Sequence, residues 1–197
     1  MAVTTTKTNK PLNPRGNDQS PKGYNRAEIY SGKALDFDGV NDYVDLDGFT
    51  MDGDVATFCF WAKVDNDGFI FDSNPQRFVI ANTSSLGLRV YNKTAYTNYG
   101  TTQRDVIGFY TIVSDGTTQR AYFNGSQIGE DATVTALDFS ASTQMKIASA
   151  YTGSGASWFD GQIAGFKIFN TALTAAQVAD LYNNPEKIVP TGVADSA

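Results

Sequence analysis

The run Phe109-Tyr110-Thr111-Ile112-Val113-Ser114-Asp115-Gly116-Thr117-Thr118-Gln119-Arg120-Ala121-Tyr122-Phe123-Asn124-Gly125 decides the fold class. It holds two stretches rich in β-branched and aromatic side chains, which pack well on a pleated, half-buried surface. Asp115-Gly116 separates them, and Asn124-Gly125 closes the second. Asn-Gly tolerates positive φ at both central positions of a tight turn, which makes it the strongest short hairpin signal. Residues 106–114 and 118–124 therefore read as one hairpin, and the chain turns again into residues 126–129.

The same period of two extends to both sides. Leu35 and Phe37 alternate with Asp36 and Asp38, and Tyr43-Val44-Asp45-Leu46 follows a turn at residues 39–41. Phe58, Phe60, Ala62 and Val64 fall on one face of the next strand, and Thr57, Cys59, Trp61 and Lys63 on the other. Phe78-Val79-Ile80 and Leu86, Leu88 and Val90 form a hairpin across Thr83-Ser84-Ser85, whereas residues 92–104 read as a polar loop. Later strands cover residues 145–149 and 162–169. One helix follows. Thr174 and Gln177 make a capping box, Leu173 and Val178 a hydrophobic staple, and Val178, Leu181 and Tyr182 an apolar stripe that Asn183-Asn184-Pro185 ends. Many short strands with regular turns give an all-β, two-sheet antiparallel jelly-roll sandwich with one short C-terminal helix. The divisions are a polar basic arm at 1–28, the jelly roll at 29–186 and a tail at 187–197.

Three segments resemble the laminin G-like, concanavalin A-like lectin/glucanase superfamily in its bacterial and phage form. They are residues 34–44 (Ala34-Leu35-Asp36-Phe37-Asp38-Gly39-Val40-Asn41-Asp42-Tyr43-Val44), the hairpin from Phe109 to its Tyr-x-Asn-Gly turn at Asn124-Gly125, and the stretch from Phe159-Asp160-Gly161-Gln162-Ile163 to Leu181-Tyr182-Asn183. The resemblance implies a first core strand, a central hairpin, and a last strand with its closing helix. Phe109 stands where the family usually has Trp. Ala164 and Gly165 stand where acidic residues usually follow the last Gly-x-Ile, which weakens the case for a family-type calcium site.

Composition narrows the function. The 197 residues carry a net charge of −6 and no His, so the commonest general base and transition-metal ligand are missing. An acidic balance argues against nucleic acid as the main partner, because phosphate binding needs surplus Lys and Arg. No stretch has the length of an apolar membrane span, and no apolar segment of a secretory signal follows Met1. The lone Cys59 sits in an apolar run and reads as a buried, inert thiol. Glycoside hydrolysis needs two carboxyl groups across the scissile bond. The glucanase branch of the superfamily places Glu-x-Asp-x-x-Glu on one strand, but Glu28, Glu130 and Glu186 are the only glutamates here, and none stands in that pattern. The expectation is that the chain is not an enzyme.

Two candidate sites remain. Asp38, Asn41 and Asp42 crowd one turn and offer hard oxygens to Ca²⁺, although Asp and Asn also build such turns without metal. No other cofactor is expected. Tyr96 and Tyr99 in one polar loop, and Tyr151 and Trp158 around another, are candidates for stacking a glycan or for anchoring those loops to the sandwich rim. The arm forms a further feature. Lys7, Lys10, Arg15, Lys22 and Arg26 oppose only Asp18 within residues 1–26, a net +4 that leaves −10 for the remainder. Ordering a polar segment costs about 1–2 kcal/mol per residue, so it needs a surface, either its own acidic body or a neighbouring subunit. The leading expectation is a non-enzymatic virion structural protein, a bacteriophage tail, fibre or capsid-surface component. It would be present in many copies or as a homo-oligomer, and residues 1–28 would bind other virion proteins. The alternative is a carbohydrate-binding adhesion module that recognises a cell-surface glycan.

Overall fold

The computed structural model describes residues 34–193, apart from 47, 52, 75–77, 84–86, 94, 101–103, 135–137, 143 and 151–157. In chain order the strands are β1 (Leu35–Asp38), β2 (Val44–Asp45), β3 (Val55–Val64), β4 (Gly68–Asn74), β5 (Phe78–Thr83), β6 (Gly87–Asn92), β7 (Tyr96–Asn98), β8 (Gly108–Asp115), β9 (Thr118–Phe123), β10 (Ser126–Thr133), β11 (Gln144–Ile147) and β12 (Asp160–Phe169). A 3₁₀ turn, Phe139–Ala141, precedes β11, and the helix α1, Ala175–Asn183, closes the described chain.

These strands form two six-stranded sheets, ordered β1-β12-β3-β8-β9-β10 and β2-β11-β4-β5-β6-β7. Neighbouring strands pair antiparallel throughout both. This is the two-sheet jelly-roll sandwich expected from the strand pattern, and the central Asn-Gly turn explains its most regular corner. Asn124 and Gly125 both have positive φ, 50° and 80°, as the mirror-image hairpin turn requires. The Asn124 side chain also accepts the Phe109 N–H at 2.9 Å.

β3 is buried on both faces, and its alternation shows why. Phe58, Phe60, Ala62 and Val64 point between the sheets, among Phe71, Phe78, Ile80, Phe139 and Phe159. The Phe58 ring lies 5.0 Å from Phe78 in a stacked arrangement and 4.9 Å from Phe71. Cys59 and Trp61 point the other way and join Phe109, Val113 and Tyr122 beneath Leu173, Val178 and Leu181. The helix thus covers the outer face of the first sheet. Its capping box is present, with Thr174 Oγ1 accepting the Gln177 N–H and the Gln177 side chain accepting the Thr174 N–H. The buried Thr57 hydroxyl donates to Thr171 O at 2.7 Å and accepts the Leu173 N–H at 3.0 Å, which ties the helix approach to β3.

Three features differ from the expectation. β4 was not foreseen, because Asp67, Asp72, Ser73 and Asn74 surround its apolar residues with turn-type side chains. The polar loop at 92–104 contains β7, whose Tyr96 pairs with Tyr91. The tail also begins as a packed segment. Asp180 accepts Lys187 Nζ at 2.8 Å and the Thr191 N–H at 2.9 Å, holding these residues against α1. The basic arm lies outside the described residues.

Candidate functional site

One end of the sandwich gathers the Asp38–Asp42 turn and the Tyr43–Trp158 pair. There β1 ends at Asp38, β2 begins at Val44, β11 ends at Ile147 and β12 begins at Asp160. Asp38 and Asp160 are register partners, and a Cβ on Gly39 would stand 2.9 Å from the Asp160 Cβ. The turn between β1 and β2 is therefore pressed onto the start of β12.

Asp38, Asn41 and Asp42 are brought together, held by hydrogen bonds of the turn itself. Asp38 Oδ1 accepts the N–H groups of Val40 at 2.8 Å and Asn41 at 3.4 Å, and Asp42 Oδ2 accepts the Asp38 N–H at 3.3 Å. Calcium takes six to eight oxygen ligands. Here the carboxylates already serve backbone donors, and among the described residues no group of three or more His, Cys, Asp or Glu is placed to hold a metal. These hydrogen bonds are those of an Asx turn, which forms without a metal.

The aromatic candidates separate. Tyr99 is 1% exposed within the inter-sheet core, its hydroxyl 3.1 Å from the Gln119 carbonyl. It cannot stack on a ligand: of the two expectations for Tyr99 the glycan contact is corrected and the buried loop anchor holds, because the ring packs between the sheets. Burial also pushes its phenol well above the ordinary range. Tyr151 lies outside the described residues. Trp158 and Tyr96 belong to two different surface clusters.

Trp158 pairs with Tyr43, ring centroids 5.8 Å apart, and Lys146 Nζ sits 4.2 Å from the Tyr43 ring centre. Tyr43 is 45% exposed. Asn41 and Asp42 are exposed directly before it. Three chain segments thus build a partly exposed aromatic surface flanked by a cation, a carboxylate and an amide. At the opposite edge of the second sheet, Tyr96 lies 4.8 Å from Tyr91, with the Arg89 guanidinium 4.1 Å from its ring centre. Arg89 Nε donates to Asn98 Oδ1 at 2.9 Å. Five strand spacings separate these edges, about 24 Å at 4.8 Å per strand. Sequence reading missed Tyr43 and Lys146, since the first looked like strand and the second like an ordinary solvated lysine.

Glu130 is exposed on β10, and Glu186 follows α1. The Cys59 thiol is fully buried, and desolvation pushes it up to about 12 despite a hydrogen bond with Thr111 and the Lys167 charge.

A family model of the concanavalin A-like lectin/glucanases superfamily matches residues 38–179, and the chain belongs to that superfamily. Among curated proteins none matches by sequence. Solved structures share the fold at low identity. A native heptameric SAP-like pentraxin from Limulus polyphemus superposes with TM-score 0.64 and 17% identity, over 83% of this chain and 92% of that one. The IT-sialidase CBM40 of Ruminococcus gnavus, bound to alpha2,3 sialyllactose, gives 0.62 and 11%, over 76% and 96%. Domain 4 of a GH43 extracellular arabinanase from Geobacillus stearothermophilus, in complex with arabinotriose, gives 0.58 and 17%, over 76% of each chain. Against a Trypanosoma rangeli sialidase, the chain spans 23% of that protein.

Proposed function

We propose that this chain is a non-catalytic carbohydrate-binding module, and that the Tyr43–Trp158 surface beside Asn41, Asp42 and Lys146 receives the sugar. The observation that carries this reading is the juxtaposition itself. A sugar ring presents an apolar face and a polar perimeter, and this patch offers exposed aromatic surface beside hydrogen-bonding groups. The fold is shared with a CBM40 and an arabinanase domain whose structures hold oligosaccharides, which favours the same class of ligand here. Absence of the Glu-x-Asp-x-x-Glu pattern supports binding without hydrolysis.

This reading takes precedence over the virion role first expected. That role leaned on residues 1–28, which lie outside the described residues, and none of the structures named above is a virion protein. Display on a virus particle remains a separate proposal about setting. It is tested by whether protein lacking residues 1–28 still enters particles.

The test of binding is a glycan array followed by calorimetry on the best hit. Tyr43→Ala and Trp158→Ala should each weaken that hit by roughly 5–30-fold, the range of about 1–2 kcal/mol for losing an aromatic contact. Tyr96→Ala should leave it unchanged. Loss at Tyr96 with none at Tyr43 would move the site across the sheet, and an empty array would sink the reading.

A further inference from the structure

A concavity that includes neither Tyr43 nor Trp158 lies beside an irregularity in β12 and is lined in part by Gln177 of α1. That strand pairs with β3 in register up to Ala164 and again from Lys167, with a bulge between. Gly165 sits in the bulge at φ 57°. A bulge of this kind re-aims the residues that follow it. Phe166 turns inward and stacks on Phe60 at 5.4 Å. Lys167 turns outward, opposite Cys59, towards the face that α1 covers. β1 pairs only with Asp160–Ile163, so the strand beyond the bulge has no β1 neighbour.

The space beside it is a cavity of about 900 Å³, within the range of small-molecule sites. Phe49, Phe169, Ile188, Val189 and Val193 give it apolar walls, and Lys167, Thr50 and Asn170 line it as well. Phe49 and Ile188 are 43% and 76% exposed, so part of this apolar lining faces solvent. Gln177 also lines it, but its side chain is committed to the helix cap and to Thr191 O. Among the described residues no carboxylate pairs with Lys167. Leaving a partly buried cation without an anion is costly. Burial lowers the lysine from its ordinary range, and the Cys59 thiol beside it stays neutral because it is itself pushed up to about 12.

We propose that this cavity binds a small apolar acid, an aromatic or alkyl body carrying one carboxylate or sulfonate, with Lys167 as its counter-ion. The apolar walls take the body, and the ammonium gains an anion that none of the described residues provides. The site is independent of the carbohydrate reading, shares no residue with the Tyr43 surface, and stands or falls separately.

The test uses the full chain with 8-anilinonaphthalene-1-sulfonate as the probe and dodecanoate and dodecanol as competitors. Saturable one-site fluorescence enhancement is expected, displaced by dodecanoate. Lys167→Met should weaken the probe and dodecanoate by at least about tenfold, as loss of a charge-assisted contact gives, while dodecanol binding changes by less than about twofold. Its melting temperature should equal or exceed the parent's, which shows that the variant is folded. Val193→Trp, which fills the cavity, should weaken all three ligands. Non-saturable binding, binding indifferent to Lys167→Met, or binding lost on Tyr43→Ala instead would each overturn the proposal.

Discussion

Thr57→Val should detach the helix approach from β3 while hardly changing shape. Thr57 is fully buried, and its hydroxyl is the only side-chain group joining β3 to both Thr171 O and the Leu173 N–H among the hydrogen bonds of the described residues. Removing it leaves the Leu173 N–H, at a buried residue, without its acceptor, which costs about 1–3 kcal/mol. The bond to Thr171 O adds about 1 kcal/mol, since that residue is half-buried and water replaces part of it. The expected loss is therefore about 2–4 kcal/mol, a fall in Tm of roughly 5–15 °C for a chain of this size. Urea denaturation followed by Trp fluorescence reads it well, because Trp61 lies under the helix, 5.8 Å from Tyr182. Thr57→Ser keeps the hydroxyl and should cost less than half as much. Combined with Leu181→Ala, the loss should fall short of the sum, because both changes release the same element. A loss below about 0.5 kcal/mol for Thr57→Val, or full additivity with Leu181→Ala, would refute the account of how α1 is held.

Leu181→Ala alone should cost about 2–5 kcal/mol as a buried large-to-small change, and Thr174→Ala about 1 kcal/mol through its cap, both read as denaturation midpoints. Calcium should raise the Tm by little or nothing; a large rise abolished by Asp42→Ala would show a site completed by other oxygens. Lys187 and Thr191 hold the Asp180 carboxyl down at about 2, below its unfolded value, so its stabilisation is present above about pH 4 and is lost as pH falls towards 2. Because the group is partly solvated, that contribution is about 1–2 kcal/mol, and Asp180→Asn should flatten the acid limb of a stability-against-pH curve. Cys59 should resist thiol reagents at pH 8 in the native protein and react fully in denaturant, as a buried thiol pushed up to about 12 requires; reaction at equal rates in both states would show that the sandwich opens there.

Local signals in the sequence carry directly into the fold. Asn124-Gly125, the Thr174–Gln177 box and the two-sided alternation of β3 each depend on residues within a few positions of one another, and each is seen in the fold. β4 was missed for the converse reason. Asp72 and Ser73 look like turn residues, yet both are buried in a strand flanked by β5 and β11. Tyr96 and Tyr99 show the limit most directly. They stand three apart in one polar stretch, but one is 40% exposed and the other 1%.

The sequence by itself determined most of the elements, though not β4 or β7, and with them the fold class, the superfamily resemblance and the absence of histidine chemistry, because turns, caps and period-two patterns are short-range and composition is not a matter of geometry at all. Only the tertiary structure decided what those elements surround. Tyr43, Lys146 and Trp158 come from separate segments, and their meeting depends on β2 lying beside β11 and on how the chain enters β12. The Lys167 cavity depends on a bulge at Gly165, on β1 ending its pairing at Ile163 and on residues 188–193 returning over β12. Burial and register are set by contacts across long sequence separations, so no window of the chain contains them.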